Sequence, residues 1–200
     1  MNRKNVELSA SPSIGIFGGT FDPIHFGHMN VARDVTKELF LHHMFVIPTW
    51  MQPFKQEQNT VSGFHRLEMV KLAFQNDPKI HASALDIERN KITYTIDTLN
   101  EFEQIIPGAN LFFVLGADAF LRFPEWRNNE EIREKATIVC VSRHGLDLIR
   151  QDERDIMLEV NMLDISSTAV REHVRNDDDI SEFVPESVSE YITKHRLYKD

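Results

Sequence analysis

The chain carries one cysteine, Cys140, in 200 residues, so no disulfide can form within it. It lies in the apolar run Thr137-Ile138-Val139-Cys140-Val141, where a small buried and inert thiol is expected. Positive charge is also scarce: 22 Lys and Arg stand against 31 Asp and Glu, a formal charge of −9. That deficit argues against non-specific nucleic-acid binding, in which a basic surface gains affinity by releasing counterions. Any polyanion must therefore be met by local positive charge. No run approaches the length of a membrane-spanning helix, and the opening Met-Asn-Arg-Lys-Asn-Val-Glu-Leu-Ser lacks the apolar stretch of a secretory signal. A cytoplasmic protein without a membrane partner is the expectation. Internal repeats, low-complexity tracts and long charge blocks are missing; Asp177-Asp178-Asp179 reads as a solvated turn.

What is present suits one globular unit, with 42% hydrophobic residues to fill a core. Residues 1–12 read as a flexible N-terminal segment and 13–200 as a single domain. Within it, short β-branched or aromatic runs alternate with longer amphipathic stretches, which predicts α/β architecture: a Rossmann-like, doubly wound parallel sheet of about five to six strands flanked by helices. Strands are predicted at 13–18, 43–48, 80–85, 110–115 and 137–142, with a sixth near 156–162. Helices are predicted at 27–40, 62–75, 94–106, 128–135, 167–175 and 185–195. Over 94–106, Ile96, Leu99, Phe102, Ile105 and Ile106 recur at helical spacing and Pro107-Gly108 ends the run, so these residues are core.

The most informative segment is Gly15 to His28, reading Gly-Ile-Phe-Gly-Gly-Thr-Phe-Asp-Pro-Ile-His-Phe-Gly-His. Gly18 and Gly19 leave the strand without side chains, so backbone amides can approach a ligand and a positive φ costs nothing there. Asp22-Pro23 sets a turn. His25 and His28 stand at i and i+3 where a helix should open, and the unpartnered first-turn amides of that helix favour an anion. A zinc site is the weaker reading, because helical zinc pairs sit at i and i+4 around a Glu and no third ligand is evident. The combination points to phosphate.

Further segments carry candidate chemistry. In Ile165-Ser166-Ser167-Thr168-Ala169-Val170-Arg171, one hydroxyl should cap a helix, leaving the others and Arg171 for an anion at the helix start. Tyr94-Thr95-Ile96-Asp97-Thr98 after Leu85-Asp86-Ile87-Glu88-Arg89 is either a plain helix cap or a set of free amides suited to a carboxylate. Gly116-Ala117-Asp118 follows an apolar strand, and Trp126 lies in a polar loop. Ligands bind outside the carboxyl ends of strands where strand order reverses, which would put Gly18, Gly19, Pro48 and Asp118 on one crevice. Lys55 in Gln52-Pro53-Phe54-Lys55, and Arg143 after strand 137–142, are the remaining cations suited to phosphate.

The 15–28 segment resembles the first signature of the (H/T)xGH nucleotidyltransferase superfamily, specifically that of bacterial nicotinate-nucleotide adenylyltransferases, and the resemblance extends over about residues 13–198. It implies catalytic roles for His25, His28 and Arg171. ATP or its phosphates would be held by Gly18, Gly19, Thr20, Phe21, Ser166, Ser167, Thr168 and Lys55. Nicotinate mononucleotide would lie on Tyr94, Thr95, Asp118, Trp126 and Arg143, with the Tyr-Thr amides on the pyridine carboxylate, the indole on the ring and Asp118 on the ribose. The chain departs from the family at Asn90-Lys91-Ile92, where a glycine is usual, and at Phe54, where relatives carry a histidine. The implied reaction is adenylyl transfer from ATP to nicotinate mononucleotide, with nicotinamide mononucleotide, phosphopantetheine or simple nucleotide sensing as alternatives. The acceptor phosphate is an ionised nucleophile, which explains the lack of a nucleophile–base motif. The expected work is positioning and charge neutralisation by cationic side chains, with Mg²⁺ arriving on ATP rather than in a protein metal cage. Homo-oligomer formation is left open.

Overall fold

The computed structural model describes residues 11–50, 60–143, 148–160 and 163–199. Six strands form one parallel sheet: β1 (Ser13–Gly19), β2 (His43–Pro48), β3 (Ile80–Ala82), β4 (Asn110–Gly116), β5 (Ala136–Ser142) and β6 (Ile156–Glu159), in the order β3-β2-β1-β4-β5-β6. Strand order therefore reverses between β1 and β4. The helices are α1 (Phe26–Glu38), α2 (Gly63–Ala73), α3 (Leu85–Arg89), α4 (Thr95–Ile105), α5 (Ala117–Leu121), α6 (Asn129–Lys135), α7 (Ser167–Arg175) and α8 (Glu186–Lys194), with a single 3-10 turn at Phe123–Glu125.

Side-chain alternation along the strands builds two cores, one on each face of the sheet. Phe17, Met44, Val46, Val114, Val139 and Val141 point to one face, where they pack with Val35, Val70, Val170, Val188 and Ile192 of α1, α2, α7 and α8. Ile14, Ile16, Ile47, Phe113, Leu115, Ile138 and Cys140 point to the other and meet Leu99, Phe102, Phe120 and Ile132 of α4, α5 and α6. Cys140 is free and buried, and burial pushes its thiol up to about 11.

The strand expected over 80–85 ends at Ala82, and α3 begins at Leu85, the last residue of that range. Neither α3 nor α5 was anticipated, because five residues are too few to display a helical repeat. The other predicted elements differ from those observed by a residue or two at their ends, except that β6 stops at Glu159. Of the segment expected to be flexible, residues 1–10 lie outside the described residues, while the Ser11 and Pro12 carbonyls accept from Asn110.

Asn90 closes α3 in the left-handed region, at φ 50° and ψ 36°. This is the position where the chain departs from the family's glycine, and asparagine is the side chain that best tolerates that conformation after glycine. Arg89 beside it ties α3 to the start of α4, donating to Asp86, the Thr98 hydroxyl, the Asp97 carbonyl and Glu101. Asn90→Gly should therefore leave stability within about 0.5 kcal/mol of the wild type, whereas Asn90→Ala should cost about 1 kcal/mol. Urea unfolding of the two variants checks this.

Candidate active site

The crevice sits at the carboxyl edge of the sheet, over the β1/β4 switch point. Gly19 and Pro48 are register partners at the ends of β1 and β2, and Gly116 ends β4 next door. A methyl group built on Gly18 or Gly116 would meet no atom within 4 Å, so both backbones face open space. Gly19 has a different reason to be glycine: its methyl would stand 2.8 Å from the Phe21 ring. The positive φ expected at the glycine pair lies instead on Phe21, at 51°. Its ring is buried edge-on to Phe17 (5.4 Å between centroids) and His28 (5.0 Å), and this packing holds a conformation that costs a bulky residue about 1 kcal/mol or more.

His25 is the N-cap of α1 rather than part of its first turn. Its Nδ1 accepts from the His28 amide at 3.4 Å, so the neutral ring carries its proton on Nε2. The two imidazoles stack with centroids 3.7 Å apart. Burial pushes His25 down to about 4, and burial followed by repulsion from His25 holds His28 well below its ordinary value. Both imidazoles are thus neutral in the free protein at pH 7. His28 Nδ1 and Thr49 Oγ1 are buried side-chain polar atoms without a hydrogen-bond partner among the described residues, and they belong to the two segments that flank the end of β1.

The two ends of the chain meet here. Arg171 Nη1 donates to the Asp22 carbonyl at 2.7 Å and Ser167 Oγ to the Pro23 carbonyl at 2.9 Å. The hydroxyls that seemed spare are engaged: Ser166 caps α7 through the Ala169 amide (3.1 Å), and Thr168 Oγ1 accepts from Arg171 Nη2 (3.2 Å). The start of α7 is thereby fastened directly to the loop between β1 and α1.

Two further residues in this loop's support escaped the sequence analysis. Arg66 of α2 is 1% exposed and donates to three carbonyls, Thr20 (2.7 Å), Trp50 (3.1 Å) and Val61 (3.1 Å). Tyr198, near the end of the chain, places its hydroxyl 2.7 Å from Asp22 Oδ1. Burial raises the Asp22 carboxyl, and Tyr198, Arg171 and Arg66 work against that rise. The signal available for Arg66 was its helical spacing with Met69, Val70 and Ala73, which puts an arginine on an apolar face; nothing local marks Tyr198.

The other candidates form a second group on the β4 side. Asp118 is exposed in the first turn of α5. Trp126 is half-buried, edge-on to Phe113 (6.1 Å) and tilted against Phe123 (5.6 Å). Tyr94, the N-cap of α4, packs on the same core, and its amide donates to Asp97 Oδ2 at 3.1 Å. Arg127, also not anticipated, sits with Cζ 4.7 Å over the Tyr94 ring, joining the tryptophan loop to the α4 start. Arg143 lies just beyond β5 and pairs with Asp164 at 2.9 Å. Lys55 and Phe54 lie outside the described residues. Among the described residues no group of three or more His, Cys, Asp or Glu is arranged to hold a metal ion, and no helix is long and apolar enough to cross a membrane.

A parallel sheet ordered 3-2-1-4-5-6, with a His-x-x-His helix start bound to a Ser-Ser-Thr-x-x-Arg helix start, defines a nucleotidyltransferase of the Rossmann-like class, and the family model described as Cytidylyltransferase-like matches residues 16–173. The chain belongs to that family and, within it, to the nicotinate-nucleotide adenylyltransferases. It is 41% identical over 189 residues to a probable nicotinate-nucleotide adenylyltransferase of Clavibacter michiganensis subsp. michiganensis, covering 93% of this chain and 94% of the relative. A probable nicotinate-nucleotide adenylyltransferase of Corynebacterium kroppenstedtii is 38% identical over 193 residues, covering 94% and 91%. The solved Plasmodium falciparum nicotinic acid mononucleotide adenylyltransferase complexed with NaAD shares the fold, with a TM-score of 0.75 at 22% identity over 94% of this chain and 97% of that one.

The depressed imidazoles make stability depend on pH in a defined direction. The unfolded chain binds protons at these histidines more readily than the folded one, so their contribution is whole above about 6.5 and is lost as pH falls toward about 4. For His25 alone the loss approaches about 3 kcal/mol. The raised Asp22 carboxyl acts in the opposite sense over the lower part of that range. Urea midpoints at pH 7 and pH 4.5 should fall much further for the wild type than for a His25→Asn/His28→Asn double variant.

Proposed function

We propose that this chain transfers the adenylyl group of ATP to nicotinate mononucleotide, releasing pyrophosphate and forming nicotinate adenine dinucleotide in the cytoplasm as a step of NAD biosynthesis. The observation that carries this reading is the direct hydrogen bonding of the α7 start to the loop that leads into α1, through Arg171 to Asp22 and Ser167 to Pro23. It gathers cation, imidazoles and helix-start amides from residues nearly 150 apart in sequence onto one side of the crevice.

In the reaction an acceptor phosphate oxygen bonds to the α-phosphorus of ATP, and the bond from that phosphorus to the bridging oxygen of the β-phosphate breaks. The nucleophile is already an anion, so no side chain removes a proton. The chain's contribution is alignment and charge stabilisation. His25 and His28 present hydrogen-bond donors to the phosphate undergoing transfer; nearby triphosphate charge draws their pKa values upward, so the imidazoles gain positive charge when an anion is bound. Arg171 and Lys55 offset charge on the leaving pyrophosphate. Gly18, Gly19, Thr20 and Phe21 keep backbone near the phosphates, and Ser166, Ser167 and Thr168 hold the start of α7 against them. Magnesium carried with ATP would offset charge on its phosphates.

On the β4 side, Trp126 offers a face for the pyridine ring, Asp118 accepts from the ribose hydroxyls, and Arg143 stands toward the acceptor phosphate. The Thr95 amide at the start of α4 receives the pyridine carboxylate, and the Tyr94 amide, held by Asp97 Oδ2, fixes that helix start. Arg127, stacked on Tyr94, adds a cation that favours an acid over an amide at that point.

Pyrophosphate release measured with ATP and Mg²⁺ should be fastest with nicotinate mononucleotide, slower with nicotinamide mononucleotide and absent with phosphopantetheine. Equal rates with the two pyridine nucleotides would remove the carboxylate assignment. His28→Ala should fold and lose turnover by about 10²–10³, the usual cost of one transition-state donor; undiminished turnover would refute its role. Trp126→Ala should raise KM for the mononucleotide far more than for ATP in the same steady-state assay.

A further inference from the structure

Asp22 poses an electrostatic problem. Its carboxylate is 3% exposed and lies in the loop that the proposed reading assigns to polyphosphate binding, where a negative charge opposes the ligand. Arg171 and Arg66 are close enough to stabilise it through space, yet the hydrogen bonds they make go to other acceptors, the Asp22 carbonyl and Thr168 Oγ1 for Arg171 and three backbone carbonyls for Arg66. Its direct donors are the Tyr198 hydroxyl, at 2.7 Å, and the Val61 amide. Arg171 is bonded instead to the backbone carbonyl of the same residue.

We infer that Tyr198 is a positioning residue for Arg171: by occupying the Asp22 carboxylate, its hydroxyl keeps the Arg171 guanidinium on the Asp22 carbonyl and leaves its remaining N–H groups for polyphosphate. A guanidinium carries five N–H donors. Arg171 uses Nη1 on the Asp22 carbonyl and Nη2 on Thr168 Oγ1, and the residue is only half-buried, so donors remain for a ligand. Arg66 has less freedom, since each of its three guanidinium nitrogens donates to a carbonyl, of Val61, Thr20 and Trp50, and the side chain is fully buried. Remove the Tyr198 hydroxyl, and a buried carboxylate that has lost its closest donor must find another. Arg171 is the cation able to rotate toward it. In doing so it would give up polyphosphate for an internal ion pair, because a buried charge left unpaired costs more than a solvent-facing guanidinium gains in water.

The same geometry makes the site depend on the last turns of the chain. Tyr198 follows α8, whose Val188 and Ile192 are anchored in the core with Leu197. Docking of that tail therefore delivers the hydroxyl to the phosphate loop.

The inference rests on the adenylyltransferase reading, and a double-mutant cycle separates the two. Calorimetry with Mg·ATP would be run on the wild type, Tyr198→Phe, Asp22→Asn and the Tyr198→Phe/Asp22→Asn double variant, with thermal melts and pyrophosphate release alongside. Tyr198→Phe should melt as a folded protein and bind ATP about ten-fold or more weakly, the range expected for a lost charge-assisted hydrogen bond. The double variant should recover most of that loss, because an uncharged side chain at 22 no longer captures Arg171. A merely structural hydroxyl cannot produce this recovery. Losses that add in the double variant, unchanged ATP affinity in Tyr198→Phe, or an unfolded Tyr198→Phe would each overturn the inference while an active wild type leaves the adenylyltransferase reading standing. A wild type that neither binds ATP nor releases pyrophosphate would overturn both.

Discussion

Everything in the site depends on how the short loop from Thr20 to Pro23 is held. Three of its backbone carbonyls are taken by side chains from distant elements: Thr20 by Arg66 of α2, Asp22 by Arg171 and Pro23 by Ser167 of α7. A carbonyl that accepts from an arginine is satisfied on the outer side of the loop. Of the amides that open α1, Phe26 donates to the Phe183 carbonyl at 2.8 Å and His28 to His25 Nδ1 at 3.4 Å, so the unpartnered set expected from the sequence is only partly free. The clamp also explains why so acidic a chain can present a phosphate-binding surface. The acidic excess lies elsewhere, and Asp22, the carboxylate within the loop, is offset by two guanidinium groups and a phenol.

The site divides along the sheet. On the β1 side the contacts are polar and buried, suited to fixing phosphates against fixed dipoles. On the β4 side they are aromatic and half-buried: Trp126 against Phe113 and Phe123, and Tyr94 beneath Arg127. A mononucleotide has the same two-part chemistry, anionic at one end and a flat ring at the other. The switch point between β1 and β4 places the two halves side by side.

Much of this was legible in the residue order, for identifiable reasons. The β1 segment with its glycines and histidines is contiguous, and the Ser-Ser-Thr-x-x-Arg run is compact, so local spacing exposes both. Alternating strand and helix patterns likewise predict a parallel sheet. Short helices were not legible, since α3 and α5 have five residues each, and the strand predicted over 80–85 keeps only three. The protonation state of the imidazoles was not legible either, because burial, which lowers their pKa, is a property of the folded surroundings. The positive φ assigned to the glycines falls on Phe21 because aromatic packing, absent from any local rule, can hold a bulky residue there.

By itself the amino-acid sequence determined the class of fold, the phosphate-handling character of its first strand-to-helix turn and the residue types available at the second. These follow from periodicity and backbone preference, which act over a few residues. Only the tertiary structure decided which hydroxyls are free and which are bonded, that Arg66 braces the phosphate loop, and that Tyr198 reaches back to Asp22 across 176 positions. Long-range pairings of this kind leave no local trace, because a side chain's partners and its exposure to water are set by the packing of elements brought together only when the sheet closes on both faces.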